Sequence, residues 1–124
     1  MRIVTGVVES DSKNKEFVIM WLFCSGGFVS VVAHRELKHS LLVRARNMEH
    51  LKELFPNADH FTLEDSDYPH RAVVPRIEVA GVLLKLLKLL DYDNFKKSID
   101  EIKYSDACNF VWKVMFDYGR EFRV

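Results

Sequence analysis

Leu41-Leu42-Val43-Arg44-Ala45-Arg46 is the stretch on which the fold turns. In extended backbone successive side chains point to opposite faces, so Leu41, Val43 and Ala45 face one way and Arg44 and Arg46 the other. This predicts a half-buried strand, its small apolar side chains against a core and its two guanidiniums on an open face.

Reading back towards the start, Phe28-Val29-Ser30-Val31-Val32-Ala33 has the β-branched character of a second strand. Ser25-Gly26-Gly27 separates it, as a tight turn or bulge does, from a dense apolar run, Phe17 to Cys24, that reads as a buried strand. Residues 1–9 have strand character too, followed by a polar break over Ser10 to Lys15. Residues 1–19 are therefore expected to be an N-terminal extension carrying an extra strand, and residues 20–124 a single domain.

Reading forward, Asn47 is a good helix N-cap, and Met48, Leu51, Leu54 and Phe55 repeat at helical spacing until Pro56-Asn57 stops them. Phe61-Thr62-Leu63 and His70 to Val74 form an expected hairpin around Glu64-Asp65-Ser66-Asp67. Pro75 suits the first position of a helix running from about Arg76 to Leu90. Asp93 is placed to cap a short helix carrying Phe95, Ile99 and Ile102, and Ser105 a last one that Gly119 ends.

The expected class is α+β: a four-stranded, mainly antiparallel sheet with helices on one face, in the order strand-strand-helix-strand-strand-helix, plus C-terminal helices. That order equals a ferredoxin-like fold whose last strand has moved to the front.

Composition narrows the function classes. Of 124 residues, 18 are Lys or Arg and 18 are Asp or Glu, a formal net charge of zero. This disfavours nucleic acid as a partner, because such binding draws on a basic excess to displace counterions. The two cysteines, Cys24 and Cys108, fall in segments that read as buried, and no CxxC or Cys/His spacing supports a metal. The five histidines fit no zinc motif, and no nucleophile has an evident base. No metal and no cofactor is expected. The longest apolar segment, Val79 to Leu90, is broken by Lys85 and Lys88 and is far short of the roughly 20 residues a span requires. No secretory leader or membrane partner is expected, which points to the cytoplasm, with excess helix surface serving a homodimer.

The polar residues that stand out are cationic and aromatic. Arg44 and Arg46 share a strand face, and Arg71 is expected on a neighbouring strand, so three guanidiniums could fork around a phosphate or carboxylate. The bland alternative is solvated arginine paired with the acids at 64–67. Asp67-Tyr68-Pro69-His70-Arg71 is echoed by Asp91-Tyr92-Asp93-Asn94-Phe95-Lys96. Each puts a phenol beside a carboxylate, suited to a polar ligand or to capping a helix. The candidate ligand-binding set is Arg44, Arg46, Asp67, Tyr68, Arg71, Asp91, Tyr92, Asn94 and Lys96.

Several of these segments, with Met20-Trp21-Leu22-Phe23, Gly27 to Val32 and Val111-Trp112-Lys113-Val114-Met115, together resemble a family of small, uncharacterised bacterial proteins. Members usually begin at the Met-Trp, so residues 1–19 depart from the pattern, and His70 stands where an aromatic is more usual. The resemblance implies a shared fold and a shared polar site, without a reaction.

The expected function is a small non-catalytic binding or regulatory protein, taking a protein partner or an anionic ligand on its Arg/Asp/Tyr surface. The competing expectation is a small enzyme on a phosphoester or nucleotide, with Asp67 or Asp91 as base.

Overall fold

The computed structural model describes the backbone of residues 7–10 and 15–123, and the side chains from Met20 to Arg123. The elements in chain order are Val7–Ser10 (β1), Lys15–Cys24 (β2), Gly27–Ala33 (β3), Ser40–Ala45 (β4), Met48–Leu54 (α1), His60–Thr62 (β5), His70–Pro75 (β6), Arg76–Leu89 (α2) and Ile102–Arg120 (α3). One turn of 3₁₀ helix, Lys96–Ser98, lies between the last two helices. Of the strand expected over residues 1–9, the first six residues lie outside the described ones.

The chain is α+β. Strands β2 to β6 form an antiparallel sheet in the order β2-β3-β4-β6-β5, and β1 pairs antiparallel with the first part of β2. The expected count of four strands is too low. Three strands, β2, β3 and β4, precede α1 rather than two, because the Phe17–Cys24 run, expected as a buried strand, joins the sheet by pairing with β3 over Ile19–Cys24, while Phe17 and Val18 pair with β1. Strands β4 and β5 run parallel to each other, each antiparallel to β6 between them, and α1 makes the crossover.

The alternation at 41–46 is present in space. Val43 and Ala45 are fully buried, with Val29 and Val31 of β3 and Ala72 and Val74 of β6 on the same face. Leu51, Leu54 and Phe55 from α1 and Val79 from α2 close that layer. Each large aliphatic side chain sunk there contributes roughly 1.5–3 kcal/mol. Helix α1 starts where expected: the Asn47 side chain accepts the Glu49 N–H at 2.9 Å.

The hairpin between β2 and β3 is held by a close approach. Gly27 has φ +148°, and a Cβ on it would sit 2.5 Å from Cγ of His50 on α1. The Phe28 N–H donates to Nδ1 of that same histidine at 3.1 Å.

The C-terminal part departs from the sequence reading. Instead of a helix capped by Asp93, the Asn94 side chain accepts the Lys97 N–H and closes only the 3₁₀ turn. Ile99 is then extended and buried beside Tyr104 and Cys108, with Phe95, Phe23 and Phe28 against them. Helix α3 begins three residues before Ser105, because both Glu101 carboxylate oxygens accept N–H groups of its first turn, from Lys103 and Tyr104. It runs through Gly119, which keeps a helical backbone. Phe23 and Phe28 pair across β2 and β3 on the face opposite Val29, so α3 does not join the α1/α2 layer.

Candidate functional site

On the face away from α1 and α2, sheet register aligns five side chains in one cross-strand row. Trp21 on β2 is opposite Ser30 on β3, Ser30 opposite Arg44 on β4, Arg44 opposite Arg71 on β6, and Arg71 opposite Phe61 on β5. Two guanidiniums thus occupy the middle of the row and two aromatics its ends. Trp21 is 62% exposed.

Tyr68 organises the arginines. It is buried at the end of the β5–β6 loop, and the guanidinium carbons of Arg44 and Arg46 lie over its ring, 4.5 and 4.2 Å from the centroid. Cations at that range are drawn to the ring's negative face. Arg46 also donates to both oxygens of Asp67, at 3.1 and 3.2 Å, and that hydrogen-bonded partner holds its pKa above the usual arginine value. Arg71 steadies the loop, Nε donating to the Tyr68 carbonyl at 3.0 Å and Nη2 to Ser66 Oγ at 2.6 Å.

Arg44 differs from both. Its Nη2 donates to the fully buried Ser30 Oγ at 2.9 Å, while its Nε is buried with no partner among the described residues. Burial first, and the neighbouring Arg71 second, lower its pKa from the ordinary value. Among the described residues no carboxylate lies within ion-pair distance of Arg44 or Arg71. A guanidinium carries five N–H donors, and the contacts above use one on Arg44 and two on Arg71.

Beside this pair opens a concavity of about 670 Å³, lined by Arg44, Arg71, Val32, Ala33, Leu42 and the loop His34-Arg35-Glu36. The loop is shaped by His34, whose Nδ1 accepts the N–H groups of Glu36 and Leu37. One wall is therefore cationic and the floor aliphatic.

The structure brings together Arg44, Arg46, Asp67, Tyr68 and Arg71 of the expected set. The second Asp-Tyr segment lies elsewhere. Asp91 and Tyr92 line a leucine-rich groove at the end of α2, Asn94 caps the 3₁₀ turn, and the Lys96 ammonium sits 4.1 Å from the Trp112 ring centroid. Ser30, Trp21, Phe61 and the His34 loop were not singled out from sequence. The first three share a face with Arg44 by period-two parity, which becomes usable only once the strand register is known.

Other reactive groups are engaged structurally. Burial pushes the Cys24 and Cys108 thiols up, away from the thiolate. Among the described residues no three His, Cys, Asp or Glu side chains gather to hold a metal ion, and no helix is long and apolar enough to cross a membrane. No family model, curated protein or solved structure matches the chain.

Proposed function

We propose that this protein is a non-catalytic binding module whose ligand is a small organic anion, a phosphate ester or carboxylate with an apolar body. The observation that carries the reading is the Arg44–Arg71 pair: two cationic side chains on directly paired residues, with no carboxylate partner among the described residues and with unused donors beside a concavity. Like charges placed directly across a ladder cost stability. A charge-assisted fork around an anion offsets that cost. Val32, Ala33 and Leu42 supply the floor for the ligand's apolar part.

Binding is favoured over turnover on phosphoesters because Asp67, one expected base, is tied into the ion pair with Arg46. The other, Asp91, lines a different hollow. A protein partner presenting an acidic side chain is the macromolecular form of the same recognition. The split unit β4-α1-β5, with β6 between its strands, supports reading β3, β4, β6 and β5 as the permuted ferredoxin-like core, with β2 added at its edge.

Calorimetric titration with inorganic phosphate, phosphate monoesters and medium-chain carboxylates tests the proposal. Saturable binding that weakens with salt and vanishes in Arg44→Met is expected. Unchanged affinity in that variant, or no binding to any of the three classes, would falsify it.

A further inference from the structure

Among the described residues, helix α3 is buried at its first turns, and beyond them Trp112 meets the Lys96 ammonium. Tyr104 and Cys108 are its buried residues, and the Tyr104 hydroxyl donates to the Cys24 carbonyl at 2.7 Å. Every residue from Asn109 to Arg123 is exposed, yet this half carries the helix's bulk. Phe110, Val114, Tyr118 and Phe122 recur every four residues as one stripe, with Val111 and Met115 beside it. Phe110 is 74% exposed and Phe122 69%. A helix apolar around so much of its circumference is one that is covered in its working state.

The same chain holds a surface suited to cover it. At the C-terminal end of α2 a groove of about 410 Å³ is walled by Leu83, Leu86, Leu87 and Leu90 on one side and by Leu22 and Phe23 on the other. Leu87 is 70% exposed. Asp91 lies at the end of the groove, and Lys113 and Asp117 on the outer half of α3 pair with each other at 3.1 Å.

We propose that a second copy of this chain is the occupant: the outer half of α3 from each copy lies against the leucine groove of α2 in the other, in a closed two-fold pair. Two features select a second copy. Helix and groove sit on one chain, so exchange covers both faces of both copies, as isologous contacts do. The apolar side chains of α3 from Phe110 onward present on the order of 800 Å², about one partner's share of a standard interface. A net charge of zero imposes no long-range repulsion between copies. An anionic bilayer surface fits less well, since membrane-lying helices carry a mainly basic polar face and this one includes acids.

This proposal does not rest on the anion site, which is read out by ligand titration, whereas the present one is read out by mass. Light scattering coupled to size exclusion of the full chain is expected to give twice 14.5 kDa. Val114→Glu with Phe122→Glu, and separately Leu87→Glu, are expected to give folded monomers by circular dichroism, since all three positions are exposed in the single chain. Mixing the helix variant with the groove variant restores one sound contact, so the dimer mass returns in the mixture. A monomeric wild type at every concentration overturns the proposal, as does a dimer indifferent to both sets of substitutions. Loss of the dimer through α3 alone, with Leu87→Glu still dimeric, overturns the reciprocal docking. A monomer that floats with vesicles of phosphatidylserine and phosphatidylcholine overturns it in favour of a lipid surface.

Discussion

Arg44 and Arg71 face each other across the β4–β6 ladder, and each turns its guanidinium to uncharged oxygens: Ser30 Oγ for Arg44, the Tyr68 carbonyl and Ser66 Oγ for Arg71. Such a pair costs something in the unliganded protein. Replacing Arg44 with Met keeps an unbranched side chain beside Tyr68 and removes one charge. Unfolding free energy by urea titration is expected to change by no more than about 1 kcal/mol, the relieved repulsion offsetting the buried Ser30 hydroxyl left without its donor, while phosphate binding is lost. Lost binding together with a fall of several kcal/mol would instead mark Arg44 as structural.

Tyr68 makes the opposite prediction. It is buried beneath the guanidiniums of Arg44 and Arg46 and lies 6.4 Å, centroid to centroid, from Phe28. Tyr68→Ala is expected to cost about 3–5 kcal/mol, the range for removing a buried aromatic. Tyr68→Phe keeps the ring and the cation contacts, and should hold stability within about 1 kcal/mol. The Tm difference between the two variants checks it.

Much of this site was legible in the sequence because it depends on local rules. Period two at 41–46 put Arg44 and Arg46 on one face, and the loop acids brought Asp67 and Tyr68 near Arg71. The part that was not legible is non-local. Nothing in the spacing distinguishes Asp67-Tyr68, which meets the arginines, from Asp91-Tyr92, which ends a helix on another side. Ser30 and Trp21 enter the site only through sheet register. The helix start at Glu101 was missed because Ser105 is the better cap by residue type, while the side chain that satisfies the free N–H groups is a glutamate four residues earlier. The expected helix over Phe95, Ile99 and Ile102 failed because Phe95 and Ile99 pack into a cluster with Phe23 and Phe28, a pull absent from the local pattern, while Ile102 opens α3 and is exposed.

The hairpin glycine is predicted to be intolerant. At Gly27 an added Cβ meets both the left-handed φ and the His50 ring at 2.5 Å. Gly27→Ala is expected to lower stability by about 2–4 kcal/mol, combining backbone strain with displacement of a half-buried ring. Gly81, whose Cβ would meet nothing within 4 Å in the middle of α2, serves as the control. Gly81→Ala should raise stability by about 0.5–1 kcal/mol.

His50 gives the fold a pH dependence whose sign follows from its contacts. Its Nδ1 accepts the Phe28 N–H, so that nitrogen must be unprotonated, and burial lowers the pKa from the ordinary 6.5 despite the opposing pull of Glu101. The unfolded chain therefore binds this proton more readily than the folded one. The contribution is complete above pH 6.5 and is lost as the pH falls towards the depressed folded value. Urea midpoints measured from pH 7.5 down to about pH 5, above most carboxylate titrations, should decline in the wild type. In His50→Gln, which offers a carbonyl oxygen to the same N–H without a titrating ring, the decline should be shallower. An equal slope in both proteins would assign the acid sensitivity to another group and leave the His50–Phe28 contact without a role in it.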